Sequence, residues 1–418
     1  MAIYTFQCFS VFRYENEHER NGIYIRQNIA MMMIFLLSFL VLYMNIEENE
    51  RLPAFYIAGQ ITTLAVILFY RLVYRGANRL IVNNMCMLLS ISFIMLARLS
   101  SDKAVKQLLI AVFSLVFTAI IPLILMKFSN LRRFYYLFAG LGIGLLLFVL
   151  IFSTAVYGSK LNLTIAGVSF QPSEYVKLTF VFAIAGLLAK SQEIKDIAIT
   201  ALIAGAHILI LVLSRDLGSA LIFFTVYIVL LFIATDQLRY LVIGLLSGIV
   251  SSVVGYRAFS HVRVRVAGFL DPVGTIDSAG FQIAQALFAL GTGGFFGLGL
   301  CQGAPGRIPV VYSDLIFAAI CEELGVLFGI CVVLICVSIF VMFMNIAMKF
   351  SDLFYKLVAV GLSVTYGFQV FLNLGGVTKF IPLTGVTLPL VSYGGNSILV
   401  TLLMFSMIQG LYNAVWQR

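Results

Sequence analysis

Phe134-Tyr-Tyr-Leu-Phe-Ala-Gly-Leu-Gly-Ile-Gly-Leu-Leu-Leu-Phe-Val-Leu-Ile-Phe-Ser-Thr154 contains no charged residue at all. About 20 consecutive apolar residues are what a helix needs to cross the hydrocarbon of a bilayer. The same ruler predicts further spans near 28–46, 54–74, 81–98, 105–126, 174–190, 197–214, 217–235, 239–257, 312–345, 353–375 and 388–412, about twelve in all. The 312–345 stretch is long enough to be tilted or kinked. Composition agrees: the 418 residues are 61% hydrophobic and only 11% charged, with a mean hydropathy of +1.05, far from soluble globular usage. The expected fold class is therefore all-α, a polytopic membrane bundle. Its helices pack in lipid as one body whatever the chain length.

The net charge of +9 is scattered over short connections rather than gathered into a basic stripe with aromatics, which excludes a nucleic-acid partner. Six cysteines show no Cys-x-x-Cys pair, and His18, His207 and His261 are too dispersed for a metal cluster. A divalent ion, if one is used, must rest on carboxylates. The N-terminus carries Arg13, Glu15, Glu17, His18, Glu19 and Arg20 before its first apolar run, unlike the short positive leader of a cleavable signal peptide.

Lysine and arginine in short loops resist translocation. Placing the N-terminus in the cytoplasm puts Arg71, Arg75, Arg79, Lys127, Arg132, Arg133, Lys190, Lys195, Arg239, Lys349 and Lys356 inside. The first opposite loop is acidic, with Glu47, Glu48 and Glu50, although Arg98, Lys103 and Lys106 blur the second. This orientation leaves 155–173, 258–311 and 376–389 outside, and these segments hold most of the glycine, proline and polar content. Residues 1–27 then form a cytoplasmic segment, 28–133 the N-terminal helices, and 134–412 the core that carries the polar motifs.

Ionisable residues within or beside membrane helices mark functional sites by default. In Gln171-Pro-Ser-Glu174 the proline suits a helix start, and Ser173 and Glu174 suit the positive end of the helix dipole. Lys177, three residues on, shares a face with Glu174, so the two can form a structural pair or line a cavity. Ser214-Arg215-Asp216-Leu-Gly218 interrupts two spans as a tight turn, and Arg215 offers a planar guanidinium matched to phosphate. Arg263 and Arg265 precede a polar island. There, Asp271 before Pro272 reads as a turn former. Asp277 precedes a helix carrying Gln282 and Gln285, where capping is the favoured role and general base the alternative. Gly291, Gly293, Gly294, Gly297 and Gly299 follow no strand, so they predict close packing or a re-entrant turn rather than nucleotide binding. Asp314 and Glu322, eight positions apart, are expected on one face of a helix, where buried acids need a cation or hydrogen-bond partners. The two prolines and the Ser392-Tyr393-Gly-Gly395 break before the last span predict irregular backbone lining a cavity.

In order along the chain, Gln171-Pro-Ser-Glu174 with Lys177, Asp216-Leu-Gly218, Gly280-Phe-Gln282 with Gly293-Gly294, Asp314-Leu-Ile-Phe317 with Glu322-Glu-Leu-Gly325, and Pro382-Leu-Thr-Gly385 through Gly395 resemble the SEDS glycosyltransferases, the RodA/FtsW/SpoVE family. The resemblance covers about residues 134–412. It implies polymerisation of lipid II into peptidoglycan glycan strands at the outer face of the bacterial cytoplasmic membrane, with inversion at the anomeric carbon and undecaprenyl pyrophosphate as leaving group, in elongation, division or sporulation. It also implies a class B penicillin-binding protein as transpeptidase partner beside other elongation or division proteins. Lipid II flipping and scaffolding of the cell-wall machinery are the alternatives.

The family's essential aspartate stands shortly before the Gly-aromatic-Gln motif, usually as Asp-Pro-x-Gly. A gapless count puts Thr275 there, so a local shift makes Asp277 the expected catalytic residue, with Asp271 in reserve. Substrate-side roles are expected for Arg215, Asp216, Arg263, Arg265, Gln282, Gln285, Ser392 and Tyr393, while the resemblance leaves open whether Glu174 and Lys177 hold the pyrophosphate or form a salt bridge, and whether Asp314 and Glu322 touch substrate or brace the helices. It leaves a requirement for Mg or Mn open. Against the family's ten spans, this chain has two additional ones, within roughly 28–74.

Overall fold

The computed structural model describes residues 1–14, 16–47, 50–127, 131–153, 162–165 and 168–416. Glu15, Glu48 and most of 155–167 lie outside the described residues, as do the side chains of Glu17 and Lys127. The helices are α1 (Ala2–Ser10), α2 (Glu17–Asn45), α3 (Leu52–Val73), α4 (Arg79–Leu99), α5 (Ser101–Thr118), α6 (Ile121–Lys127), α7 (Tyr135–Phe152), α8 (Pro172–Lys190) and α9 (Ile194–Leu213). They continue with α10 (Leu217–Thr235), α11 (Leu238–Ala258), α12 (Ser260–Leu270), α13 (Phe281–Gly293), α14 (Ile316–Leu324), α15 (Val326–Ala347), α16 (Leu353–Val377) and α17 (Gly395–Trp416). Two short antiparallel strands, β1 (Leu163–Ile165) and β2 (Val168–Phe170), pair with Thr164 opposite Ser169. Among the described residues, 12 helices are long and apolar enough to cross a membrane. The expected all-α bundle is what the chain forms.

The chain divides into two compact units interleaved in sequence: residues 1–120, 264–342 and 370–405, and residues 121–263, 343–369 and 406–418. In the first unit α4 is the central helix, packed against α2, α3 and α5, with its whole apolar window buried. Apolar side chains gain little by leaving lipid for one another, so packing and interhelical hydrogen bonds of about 0.6 kcal/mol each hold such helices. Asn84 supplies several: its Nδ2 donates to Ser338 Oγ at 2.7 Å, and its Oδ1 accepts from Tyr4 Oη at 3.0 Å and Cys8 Sγ at 3.1 Å. These last two bonds dock α1, an element absent from the sequence expectation. Helix α2 likewise starts eleven residues before the predicted span at 28, because Asn16 caps it by accepting from the His18 N–H at 3.2 Å.

The predicted 312–345 span is two helices, α14 and α15. The break is Gly325, whose φ of +89° disfavours any other residue, and where an added Cβ would meet the Phe296 carbonyl carbon at 2.4 Å. The glycine run Gly293–Gly299 presses on the same turn: a Cβ on Gly293 would lie 2.1 Å from the Cys321 carbonyl oxygen. Close packing is thus the alternative realised. Leu298 and Gly299 donate to the carbonyls of Glu322 and Glu323 at 2.9 Å each.

In the second unit α7, α8, α9 and α10 pack together. At Gly186 of α8 a Cβ would come within 2.6 Å of Tyr135 Cβ, so the small residue sets how closely α8 approaches α7.

Candidate active site

Two groups of motif residues are organised, one in each unit. In the second unit Pro172 opens α8 as its first residue, with Gln171 at the N-cap and no side-chain cap. Ser173 therefore does not cap; its Oγ accepts from Gln171 Nε2 at 3.3 Å. Lys177 Nζ donates to Glu174 Oε1 at 2.7 Å and to Gln369 Oε1 of α16 at 2.9 Å. The pair is almost fully enclosed, with side-chain exposures of 1% for Lys177 and 8% for Glu174.

The Ser214–Asp216 turn closes α9 and opens α10. The Arg215 N–H donates to Val212 O at 3.0 Å and the Asp216 N–H to Leu211 O at 2.9 Å, the double bond pattern that ends a helix through a left-handed residue. That residue is Arg215, at φ 63°. Asp216 then caps α10 through the Ser219 N–H at 3.1 Å, while its buried Oδ2 has no partner among the described residues. Asp216, Ser214 and Ser173 line one cavity of about 10 Å³, room for about one water. Two motifs more than forty positions apart thus face the same small polar hole. A left-handed conformation costs a non-glycine residue about 1 kcal/mol or more, so Arg215→Gly is expected to raise the thermal unfolding midpoint in detergent.

In the first unit Arg265 of α12 donates from Nη1 to Leu383 O at 3.2 Å and Thr384 O at 3.0 Å. Asn373 of α16 donates through Nδ2 to Asp314 O at 2.8 Å and Val386 O at 2.7 Å. Ser392 Oγ accepts from the Leu388 N–H at 2.8 Å and donates to Ser313 O, and Gln107 Nε2 donates to Ser392 O at 2.9 Å. The Tyr393 N–H donates to Tyr312 O at 2.7 Å; the two rings meet edge to face, and Lys103 Nζ sits 4.0 Å above the Tyr312 ring. The irregular segment from Pro382 to Gly394 is therefore fastened to the turn that carries Asp314, with Arg265 and Lys103 beside it.

Asp314 does not share a helix with Glu322. It lies in the turn before α14, which begins only at Ile316. Burial pushes its carboxyl up from 3.8 to about 6, against the opposing pull of Arg265. Between those values the folded protein holds a proton that the unfolded chain releases, so stability falls as pH rises from about 4 to about 6 and the cost is fully present above that. Asp314→Asn is expected to be more stable than the native protein at pH 7 by on the order of 1–3 kcal/mol, the gain vanishing near pH 4. Thermal unfolding at the two pH values checks it.

Glu322 and Glu323 brace the glycine-rich loop. Glu322 Oε1 accepts from the Ala304 N–H at 3.1 Å. Glu323 Oε1 pairs with Arg98 Nε at 2.9 Å, and Arg98 Nη2 donates to Gly303 O at 3.3 Å. Burial raises the Glu323 carboxyl while Arg98 opposes it.

The island between α12 and α13 separates the two aspartates. Asp271 is the expected turn former: its Oδ1 accepts from the Gly274 N–H at 2.8 Å, and its carbonyl accepts from Thr275 Oγ1 at 2.6 Å. Asp277, expected to cap the next helix, does not. The cap of α13 is Gly280, with no side-chain bond, because the turns from Pro272 to Gly280 carry the chain three residues past Asp277. Its carboxylate is exposed and accepts no hydrogen bond among the described residues. Gln282 and Gln285 are half-buried on one face of α13 and equally uncommitted. Arg263 Nη1 donates to Arg257 O at 2.9 Å.

The sequence reading missed Gln369, Asn373 and Gln107, the side chains that hold Lys177, the Asp314 turn and Ser392. Amides buried to 2% exposure or less in predicted spans were the available signal. Among the described residues no group of three or more His, Cys, Asp or Glu side chains is placed to hold a metal ion.

The profile of the FtsW/RodA/SpoVE family, described as cell cycle protein, matches residues 80–415. The peptidoglycan glycosyltransferase RodA of Mycobacterium tuberculosis is 35% identical over 274 residues, covering 60% of this chain and 57% of the relative. Stage V sporulation protein E of Bacillus subtilis is 35% identical over 256 residues, covering 59% and 69% respectively. The chain thus spans little more than half the length of the mycobacterial relative. Among solved structures, a chain from a study of "structural coordination of polymerization and crosslinking by a peptidoglycan synthase complex" superposes with TM-score 0.69 at 24% identity, over 82% of this chain and 99% of that one. The rod shape determining protein RodA of Thermus thermophilus gives 0.61 at 23%, over 82% and 98%. With the profile spanning α4 to α17, the chain belongs to the FtsW/RodA/SpoVE family.

Proposed function

We propose that this protein is a peptidoglycan glycosyltransferase that polymerises lipid II at the outer face of the bacterial cytoplasmic membrane. The observation that carries the mechanism is the contrast between the two island aspartates. A general base needs a carboxylate that can come within hydrogen-bond reach of the hydroxyl it deprotonates, which favours one not held in a turn. Asp271 is engaged in its turn, whereas Asp277 is exposed and unbonded among the described residues.

In this reading Asp277 takes the proton from the acceptor sugar's 4-hydroxyl as its oxygen attacks the donor's anomeric carbon. The bond to the undecaprenyl diphosphate breaks on the opposite side, and the configuration inverts. One carboxylate suffices because no covalent glycosyl-enzyme is formed. Charge grows on the leaving diphosphate, where Arg265, in the same unit as Asp277, is the cationic candidate. Gln282, Gln285 and Tyr393 supply uncharged donors for sugar hydroxyls. Asp314, with a carboxyl near neutrality, accepts from another hydroxyl. Glu322 holds the glycine-rich loop of the same unit through the Ala304 N–H. Among the described residues no group of three or more His, Cys, Asp or Glu side chains could seat Mg or Mn, and the steps above are written without one.

Crosslinking requires a transpeptidase, and a class B penicillin-binding protein is the partner the family relationship favours, with the other elongation or division proteins around it. The decisive experiment is reconstitution of the purified protein in vesicles with lipid II. Glycan strands on a gel support the polymerase. Movement of lipid II between leaflets without strands would identify a flippase, and neither activity a scaffold.

A further inference from the structure

We infer that α2 and α3, two helices outside the family region, create a binding pocket for a hydroxyl-bearing phosphate ester such as a phosphoglycerol group. The family profile begins at residue 80, so α2 and α3 lie wholly before it. Between these helices and the start of α4 is a cavity of about 110 Å³, several times the 10–15 Å³ that one water requires. It is a different place from the site above and shares no residue with it.

Its lining has one sign of charge. Arg71, Arg75 and Arg79 all face it, and among the described residues no carboxylate does. The guanidinium of Arg79 is already oriented, donating to Asn21 Oδ1. Arg71 and Arg75, at the end of α3 and just past it, are exposed. Guanidinium groups match phosphate through paired N–H donors. Positive charge at a helix C-terminus or in an inner loop has a plain explanation in the helix dipole and in topology. Neither accounts for a cavity of this size lined by all three arginines.

The floor of the cavity adds the second half of the specificity. Asn28, more than a helical turn deeper on α2, has a buried Oδ1 that accepts no hydrogen bond among the described residues. A buried acceptor without a donor carries a desolvation cost that a ligand hydroxyl would relieve. Tyr24, Tyr70 and Tyr74 form amphipathic walls, suited to a headgroup with an apolar tail or a glycerol backbone. Phosphate at the arginines and hydroxyl at Asn28 together describe a phosphoglycerol unit. Such a unit belongs both to the headgroup of phosphatidylglycerol and to soluble glycerol 3-phosphate.

The test is native mass spectrometry of the full chain in detergent, titrated separately with phosphatidylglycerol, phosphatidylcholine and glycerol 3-phosphate. Saturable binding of phosphatidylglycerol over phosphatidylcholine, weakened roughly 10–100-fold by Arg71→Gln with Arg75→Gln, is expected, since removing each charge-assisted hydrogen bond changes affinity by a factor of that order. Asn28→Leu removes the Oδ1 acceptor while leaving every arginine in place, and it is expected to weaken the same binding by a similar factor. The same dependence for glycerol 3-phosphate would support the pocket with a soluble ligand. Arg132→Gln with Arg133→Gln removes two exposed arginines elsewhere and is expected to change nothing. Equal binding by the native chain and both pocket variants, or equal weakening by the Arg132/Arg133 control, would overturn the inference.

Discussion

Asp277→Ala is expected to slow lipid II polymerisation by about 10²–10⁴-fold, the range a positioned general base contributes, with no change in unfolding temperature. The carboxylate makes no hydrogen bond among the described residues, so nothing in the fold depends on it. Asp271→Ala is expected to do the reverse. It frees the Gly274 N–H from its 2.8 Å acceptor, costing about 1 kcal/mol of local stability, while the rate stays within about tenfold of the native one. Initial rates of strand formation and thermal unfolding, measured on both purified variants, separate the roles. A dead Asp271→Ala beside an active Asp277→Ala would move the base to Asp271.

Lys177→Met is expected to cost about 3–5 kcal/mol, because removing one member of a buried pair leaves the other charge uncompensated. Glu174 keeps only 8% of its side-chain surface exposed, and Gln369 would lose the ammonium its Oε1 accepts from at 2.9 Å. Adding Glu174→Gln to Lys177→Met is expected to restore part of the loss, since the stranded charge is then gone. A coupling of about 0.5–3 kcal/mol is typical of such neighbours. Denaturant or thermal unfolding in detergent of the two single variants and the double variant measures it. Single variants that unfold like the native chain would show that the pair contributes nothing to stability.

Most spans were legible because they are predominantly apolar runs of about 20 residues, and a helix satisfies the backbone of such a run within itself in lipid. What the apolar ruler could not see was polar or local. Helix α1 is short, and it is held by Tyr4 and Cys8 on an asparagine eighty positions away, a partnership no local pattern announces. The break at Gly325 rests on a backbone-to-backbone approach from Phe296, so a continuous run read as one helix became two. That break also undid the shared face drawn for Asp314 and Glu322. Glu174 and Lys177 were legible as a pair from their spacing, but Gln369, the third member, is in another helix nearly two hundred positions later. The turn role of Asp271 followed from Asp-Pro chemistry. The expectation that Asp277 caps a helix failed because three further turn residues precede Phe281.

The most direct measurement is stoichiometric. The purified chain is supplied with lipid II alone, and undecaprenyl diphosphate released is counted against disaccharides joined. One diphosphate set free for each new glycosidic bond, with Asp277→Ala suppressing both together, is the expected result. Lipid II consumed or moved with no diphosphate released would contradict it.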